Sequence, residues 1–312
     1  MHATLIAEDF AGMWSQGRGL AERVGFSWER QPIFMRKGDV WQCLPARLWP
    51  SPLKRVEPFV LSPKTDVIIS LGGRGGIIGA ALGKHYGLPV IQVQNPRTSL
   101  EPYAVVIAHH HDQLEGKNVF LTRTALHGVT EDVLKQAFPQ WKAIIRTDEK
   151  PVLGVLLGGS NGRFRFDVSE AAHIAQQLGH FIRQRNVSCV ITPSRRTSPE
   201  ALTLLKTELE PLGGRFLEGT GQNNPYMGVL ACSDMLAVTM DSVSMISEAV
   251  ATSLPVGILP LSGHSKRIAH FIKMLEKQGR VHSFSADLPL ETAERLDDTS
   301  LAAEEIRRYM KL

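Results

Sequence analysis

Apolar residues in this chain come in short unbroken runs rather than in alternation. In the first half the runs are TLIAE, DVIISL, LPVIQVQ, YAVVIA and NVFLT, separated by polar and turn-forming stretches. A run that is apolar at nearly every position has no wet face, so these read as strands of a parallel sheet covered on both sides. Between them, SQGRGLAERVG and GGIIGAALGKHYG carry apolar positions at helical spacing and stop at Gly25 and Gly87, which suit the left-handed backbone after a last turn. A second alternation starts at Pro151, after the polar RTDEK: strands PVLGVLLGG, VSCVITP, RFLEG, DMLAVT and PVGILPL are interleaved with helices DVSEAAHIAQQLGHFIRQRN, SPEALTLLKTELEPL, NPYMGVLACS and SVSMISEAVATS. Strand and helix taking turns predict an α/β architecture of two doubly wound domains, residues 1–150 and 151–285, facing a cleft. A tail helix, SLAAEEIRRYMKL, lies within residues 286–312 and is expected to pack back on the first domain.

Length and composition fit that division. A chain of 312 residues exceeds the usual size of one core, and 43% apolar with 21% charged residues is globular in type. The opening MHATLIAEDF meets acid at Glu8 and Asp9 without a basic leader, and no apolar run reaches the roughly 18 residues of a membrane span, so a cytoplasmic protein is expected. Cys43, Cys189 and Cys232 are odd in number and far apart, which argues against a disulfide framework or structural zinc.

Charge changes the picture in one place. Residues 1–150 hold 18 Lys/Arg against 14 Asp/Glu, whereas the second half is balanced. The excess concentrates in residues 28–64, where Arg30, Arg36, Lys37, Arg47, Lys54 and Arg55 alternate with Trp28, Phe34, Trp41, Trp49 and Phe59. Cations beside rings suit an anionic membrane surface or a lipid-linked acceptor, or else a proline-broken surface segment with anchoring aromatics. The first alternative implies peripheral placement at the inner face of the membrane; nucleic acid is not expected as a partner.

Ligands in doubly wound sheets sit outside the carboxyl ends of the strands, so the loops there hold the candidate chemistry. Gly158, Gly159, Ser160, Asn161 and Gly162 form a loop whose N–H groups suit phosphate or an ordinary strand-to-helix turn. A similar glycine-rich loop at Gly72, Gly73, Gly75 and Gly76 lacks the spacing of a dinucleotide fingerprint. Arg195 and Arg196 follow VSCVITP, where a pair of guanidinium groups suits a diphosphate or simply a solvated loop. Ser242 and Ser244 open a helix that places Glu248 about one turn in, suited to the two hydroxyls of a ribose or merely to the positive helix end. His109, His110 and His111, followed by Asp112, alternate in direction and do not suit a shared metal, although one of them facing the cleft suits a base.

Longer motifs tie these pieces together. SLGGRGGIIGAALGKHYGLPVIQVQN, LGVLLGGSNGRFRFD and NPYMGVLACSDMLAVTMDSVSMISEAVATSLPVGILPL resemble the glycosyltransferase B architecture, in particular the lipid-linked N-acetylglucosaminyltransferase of peptidoglycan synthesis. More closely, GMWSQGRGLAERVG, VQNPR, HHDQLEGKNVFLT, LGGSNGRFRF, SRRTSPEAL and NNPYMGVLACSDMLAVTMDSVSMISEA resemble the elongate-mitochondria fission-protein family over nearly the whole chain. The resemblance implies two Rossmann-like domains of glycosyltransferase B type. It also implies a uridine diphosphate sugar as ligand, no other cofactor, and a metal-independent glycosyltransferase acting on a cell-envelope or membrane-associated acceptor.

In that reading Gly158, Gly159, Ser160, Asn161, Arg195 and Arg196 face the diphosphate, and Asn224, Tyr226, Asp241, Ser242, Ser244, Met245 and Glu248 surround the rest of the donor. Gly12, Gln16, Gly72, Gly73, Arg74, Gly75 and Arg97 form the acceptor side. One departure matters. Met13 stands where the peptidoglycan enzyme has a histidine, which leaves Asp9, His111 or Asp112 to act as the base. Two other functions stay open: epimerisation of the same nucleotide sugar, and a non-catalytic adaptor that binds membrane or protein through residues 28–64.

Overall fold

The computed structural model describes every residue of the chain except the side chains of Ala11, His111 and Gln222. It divides into two units, Met1–Gly128 with Asp297–Leu312, and Val129–Leu296.

The first unit is built on six parallel strands: β1 (His2–Ala7), β2 (Ser27–Pro32), β3 (Val67–Leu71), β4 (Val90–Val93), β5 (Val105–His109) and β6 (Val119–Thr122). Their order is β2-β1-β3-β4-β5-β6. The continuous apolar runs become the buried β1, β3, β4 and β5. β2 is a strand that burial does not announce: SWERQP is polar, and it joins the sheet only as an edge, paired with β1 from His2↔Ser27 to Ala7↔Pro32. Pro32, which has no N–H for a ladder, is tolerated there.

Helices α1 (Ala11–Val24) and α2 (Gly72–Tyr86) follow β1 and β3. The glycines expected to form a loop after β3 are instead the first turn of α2, entered at Gly72 with φ of 73°. Further along, a Cβ at Gly79 or Gly83 would run into Ser70 or Val90, so glycine lets the helix lie directly on β3 and β4.

The second unit opens with α3 (Glu131–Ile145), then β7 (Val152–Leu157), α4 (Val168–Arg185), β8 (Ser188–Pro193), α5 (Pro199–Leu209), β9 (Gly214–Phe216), α6 (Tyr226–Cys232), β10 (Met235–Thr239), α7 (Val243–Val250), β11 (Val256–Leu259), α8 (Lys266–Lys277) and β12 (His282–Ser283). Its sheet is also parallel, in the order β12-β11-β10-β7-β8-β9. The sequence reading lacks α3 and α8. α3 places the division at residue 129 rather than 150, because Leu134, Phe138 and Trp141 pack on the core of this unit and the Trp141 ring fills the space that a side chain at Gly228 would need. Residues up to Leu296 stay with it too, through Ala293 N–H to the Ser253 carbonyl (3.0 Å) and Leu296 N–H to that of Val250 (3.0 Å).

The last helix, α9 (Asp298–Met310), lies against α1 in the first unit. Two adjacent carboxylates hold its start. Asp298, buried, accepts the N–H groups of Arg123 and Thr124 and the Arg123 guanidinium at 2.5 Å. Asp297 caps the helix through the N–H (3.2 Å) and hydroxyl (2.7 Å) of Ser300 and pairs with Arg23 at 3.3 Å. Burial opposes charge on Asp297, but Ser300 and Arg23 outweigh it and hold the carboxyl below its ordinary value. No helix among the described residues is long and apolar enough to cross a membrane.

Removing the Asp298 carboxylate strands a partly buried guanidinium and two N–H groups. Asp298→Ala is expected to cost about 3–5 kcal/mol in the first unit, read from the urea midpoint of its unfolding transition. The lowered Asp297 pKa stabilises fully above the unfolded value near 3.9, and that contribution is lost as pH falls through the lower folded value. Asp297→Asn therefore flattens the acid limb of the stability curve below about pH 4, measured by urea titration at several pH values.

Candidate functional site

β7, β8 and β10 include neighbours on both sides of β7, so the loops that follow them meet at one edge of the second sheet. Asp241, two residues past β10, collects donors from all three. It is 5% exposed, and it accepts Gly159 N–H at 3.2 Å, Arg196 Nη2 at 2.9 Å and the Thr239 hydroxyl at 2.7 Å. Around it, Gly158 N–H donates to Thr239 Oγ1 (2.7 Å), and the Gly158 carbonyl accepts the hydroxyls of Ser194 (2.6 Å) and Thr197 (2.5 Å). Arg196 Nη1 reaches the Gly159 carbonyl at 3.1 Å.

Of the loop N–H groups expected to face an anion, those of Gly158 and Gly159 are thus committed to the protein. Glycine is required for a different close approach: a Cβ at Gly158 would strike the Asp241 carboxylate and one at Gly159 the Arg196 backbone. Arg196 is likewise spent on the loop, while Arg195 beside it is exposed and makes no hydrogen bond or ion pair with a described residue.

The rest of the β7 loop turns on its own side chains. Asn161 Oδ1 accepts the N–H groups of Arg163 (2.8 Å) and Phe164 (3.0 Å), and Ser160 Oγ accepts that of Phe166 (2.8 Å). Phe164 forms an antiparallel bridge with Gly263, fastened by Arg165 N–H to the Ser262 carbonyl (2.9 Å) and His264 N–H to that of Arg163 (3.1 Å). Phe164 is buried; Arg163 and Arg165 on either side of it are exposed, because extended backbone sends alternate side chains to opposite faces.

α7 begins two residues beyond Asp241. Ser242 caps it, its hydroxyl accepting Met245 N–H at 3.4 Å, and the N–H groups of Val243 and Ser244 make no hydrogen bond with a described residue. The positive end of the helix is therefore open. One turn in, Glu248 is 8% exposed, and its Oε2 accepts the Tyr226 hydroxyl at 2.5 Å. Tyr226 starts α6, where Asn224 Oδ1 accepts its N–H at 3.0 Å. Burial, and then the Glu248 charge and hydrogen bond, hold the Tyr226 phenol well above its ordinary pKa, so it stays the donor. Met245 packs partly buried against the core.

The first unit has an uncharged counterpart. Gln92, fully buried, accepts the Ser70 hydroxyl (2.6 Å) and donates to the carbonyls of Gly72 (3.1 Å), Val93 (2.8 Å) and Gln94 (2.9 Å). Gln94 Nε2 continues to the buried Gln16 at 3.2 Å. Two non-glycine residues of this loop, Gln94 and Arg97, hold left-handed backbone with φ of 74° and 57°. Such strain costs about 1–3 kcal/mol per residue and clusters at functional sites.

The remaining acceptor-side residues divide by what they touch. Arg74 pairs with Glu8 at 2.7 Å and lies over the Trp49 ring, Gly75 makes room for the Ile6 carbonyl, Gly12 lies in the first turn of α1, and Gly73 has open space beside it. Among the expected bases, Asp9 accepts the Trp14 indole N–H at 2.8 Å and Asp112 the His109 N–H at 3.4 Å, whereas the His111 side chain lies outside the described residues. No three described His, Cys, Asp or Glu side chains are placed to hold a metal ion.

A family model for mitochondrial fission ELM1 matches residues 11–310. The chain belongs to this family. It is 30% identical to the mitochondrial fission protein ELM1 of Arabidopsis thaliana over 250 residues, which is 71% of this chain and 58% of that protein, so it spans less than two thirds of the plant relative's length. The protein RP120 of Rickettsia prowazekii (strain Madrid E) is 23% identical over 292 residues, covering 79% of this chain and 80% of the other.

Among solved structures the fold is similar to UDP-GlcNAc 2-epimerase from Neisseria meningitidis bound to UDP-GlcNAc (TM-score 0.55, 11% identity, 100% of both chains). It is also similar to MurG from Acinetobacter baumannii (TM-score 0.50, 12% identity, 99% and 92%) and to a UDP-glucosyltransferase from Polygonum tinctorium (TM-score 0.51, 12% identity, 98% and 93%). At these identities the likeness concerns the fold: an α/β protein with two Rossmann-like domains, of glycosyltransferase B type.

Within this ELM1-family site the sequence reading missed Thr239, Ser194 and Thr197, the hydroxyls that fasten Gly158, and the exposed Arg163 and Arg165. SRRTS holds Ser194 and Thr197, GRFRF holds Arg163 and Arg165, and MLAVT ends in Thr239, but nothing in these stretches marks which backbone group a hydroxyl meets. The two adjacent arginines are expected to behave differently. Arg196→Gln leaves the buried Asp241 charge short of a partner and lowers the apo melting temperature, at a cost of about 2 kcal/mol, whereas Arg195→Gln leaves it unchanged; differential scanning calorimetry separates them.

Proposed function

We propose that this chain binds a uridine diphosphate sugar at the carboxyl edge of its second sheet and transfers the sugar, without a resident cofactor or metal, to a membrane-associated acceptor of the cell envelope. The observation that carries this reading is the start of α7, where two open N–H groups precede a buried carboxylate fixed by Tyr226. Open helix N–H groups and their dipole suit a phosphate, and a carboxylate one turn on suits ribose hydroxyls. Arg195, Arg163 and Arg165, exposed at the same sheet edge, supply the charge that Arg196, tied to Asp241, does not. The Neisseria meningitidis neighbour bound to UDP-GlcNAc supports the ligand class by fold.

In the reaction the acceptor hydroxyl attacks the anomeric carbon, its proton passes to a base, and the bond to the diphosphate breaks as the helix end and arginines stabilise the departing charge. Asp9 is the base in this reading: it stands just past β1 with its carboxylate oriented by the Trp14 indole. Asp112 faces the His109 backbone instead. Epimerisation is the second reading, supported by the epimerase among the fold neighbours. A labelled donor incubated alone separates the two, since only an epimerase yields a new sugar without acceptor.

Uridine diphosphate is expected to raise the melting temperature of the second unit, by an amount equivalent to about 2.7 kcal/mol at a hundredfold excess over Kd. Glu248→Ala removes that shift, and Glu248→Gln, which keeps an acceptor for Tyr226, separates lost recognition from lost packing. No shift with any nucleoside diphosphate would overturn both enzymatic readings. Asp9→Asn is expected to keep the shift and to lower turnover by about 10²–10⁴-fold in a transfer assay.

A further inference from the structure

Residues 33–64, between β2 and β3, form a lobe built around three single-turn 3-10 helices at Val40–Cys43, Ala46–Leu48 and Pro52–Lys54. It is folded from within. The buried Trp49 donates its indole N–H to the carbonyls of Trp41 (2.7 Å) and Leu44 (3.1 Å), and with Ile33, Val56 and Leu61 it joins a core shared with Ile78 and Leu82 of α2. Met35 and Val56 form an antiparallel bridge, fastened by Arg36 N–H to the Arg55 carbonyl (3.1 Å) and Glu57 N–H to that of Phe34 (2.8 Å). What this lobe exposes is therefore held in place.

Its surface combines two chemistries that soluble surfaces usually keep apart. Phe34, Val40, Leu44, Leu48 and Val60 are 44–81% exposed. Arg36, Lys37, Arg47, Lys54 and Lys64 are exposed among them. The lobe holds six Lys/Arg against two Asp/Glu, an excess as large as that of the whole chain, and one of the acids, Asp39, is already bound by Arg55 at 3.4 Å. Beside it a hollow of about 550 Å³ is walled by Pro52, Leu53 and Ala81 and ringed by the exposed Lys54, Lys84 and His85, repeating the pattern at the scale of one lipid.

A protein partner is the poorer match, because protein–protein interfaces are depleted of Lys, whereas here cations run through the apolar residues. That mixture suits a bilayer: apolar side chains enter the boundary between head groups and acyl chains, and Lys and Arg stems lie along them with their charges among anionic head groups. We infer that this lobe docks on the surface of an anionic lipid bilayer. The inference rests on the first unit alone and stands apart from the nucleotide-sugar reading.

Cys43 provides a reporter within the lobe. It is exposed, whereas burial pushes the Cys189 thiol up to about 12 and that of Cys232 to about 11, so a thiol reagent near neutral pH labels Cys43. With an environment-sensitive fluorophore there, vesicles of phosphatidylcholine with phosphatidylglycerol are expected to shift the emission to the blue, and pure phosphatidylcholine vesicles are not. Flotation of the unlabelled protein checks that the dye does not drive binding. Binding weakens as salt shortens the Debye length, and each of Lys37→Gln, Arg47→Gln, Lys54→Gln and Lys64→Gln lowers the partition coefficient about fivefold.

Val40→Ser with Leu48→Ser lowers it at every salt concentration. All six side chains are exposed, so the melting temperature of each variant and its shift with uridine diphosphate stay at the wild-type value. Equal binding to neutral vesicles, no binding to anionic ones, or full binding by the four-glutamine variant overturns the inference. So does cross-linking of Cys43 to a protein with no affinity for vesicles.

Discussion

Asp241 and its three donors set the shape of the second sheet's carboxyl edge. A carboxylate withdrawn from water must be matched by donors or it does not stay charged, and here they arrive from the loops after β7 and β8 and from the end of β10. Satisfying one charge thus ties three otherwise separate loops together. Gly158 and Gly159 are consequences of it, since the backbone must come close enough to donate. α7 begins two residues on, straight after its cap Ser242, so its open end inherits the position fixed by Asp241.

The two edges reach order by different means. In the second unit an ion pair and hydroxyls do it; in the first, the buried amide of Gln92 links Ser70, Gly72 and Gln94 without any charge. A buried amide with its donors and acceptors met costs less than a buried charge and leaves the field around it neutral. The strained backbone at Gln94 and Arg97 hangs from that network, which supplies the surrounding constraint such conformations need.

Electrostatics also separates residues that look equivalent. Arg195 and Arg196 are adjacent and both exposed, but Arg196 is paired with Asp241, which leaves Arg195 with the charge that no described residue matches. Glu248 accepts the Tyr226 hydroxyl, a donor that brings no charge of its own. The lobe of residues 33–64 shows the opposite economy: its cations stay almost unmatched by acids, and Phe34, Val40, Leu44, Leu48 and Val60 remain outside the core that Trp49 organises.

The chain's own residues determined the strands and most of the alternation with helices, because a strand buried on both faces has to be apolar throughout and the glycines after it have to admit a turn. The resemblance of its long motifs reached the family and the fold class by the same route. What the chain alone did not determine rests on partners far away in sequence. SWERQP becomes β2 only because β1 offers an edge; α3 joins the second unit only because α6 leaves room at Gly228 for Trp141. The glycine loop meets a carboxylate 82 residues away instead of presenting its N–H groups outward. Local pattern records whether a segment is buried, but which atom a buried donor meets is a property of the packed sheet, and tertiary structure decided it.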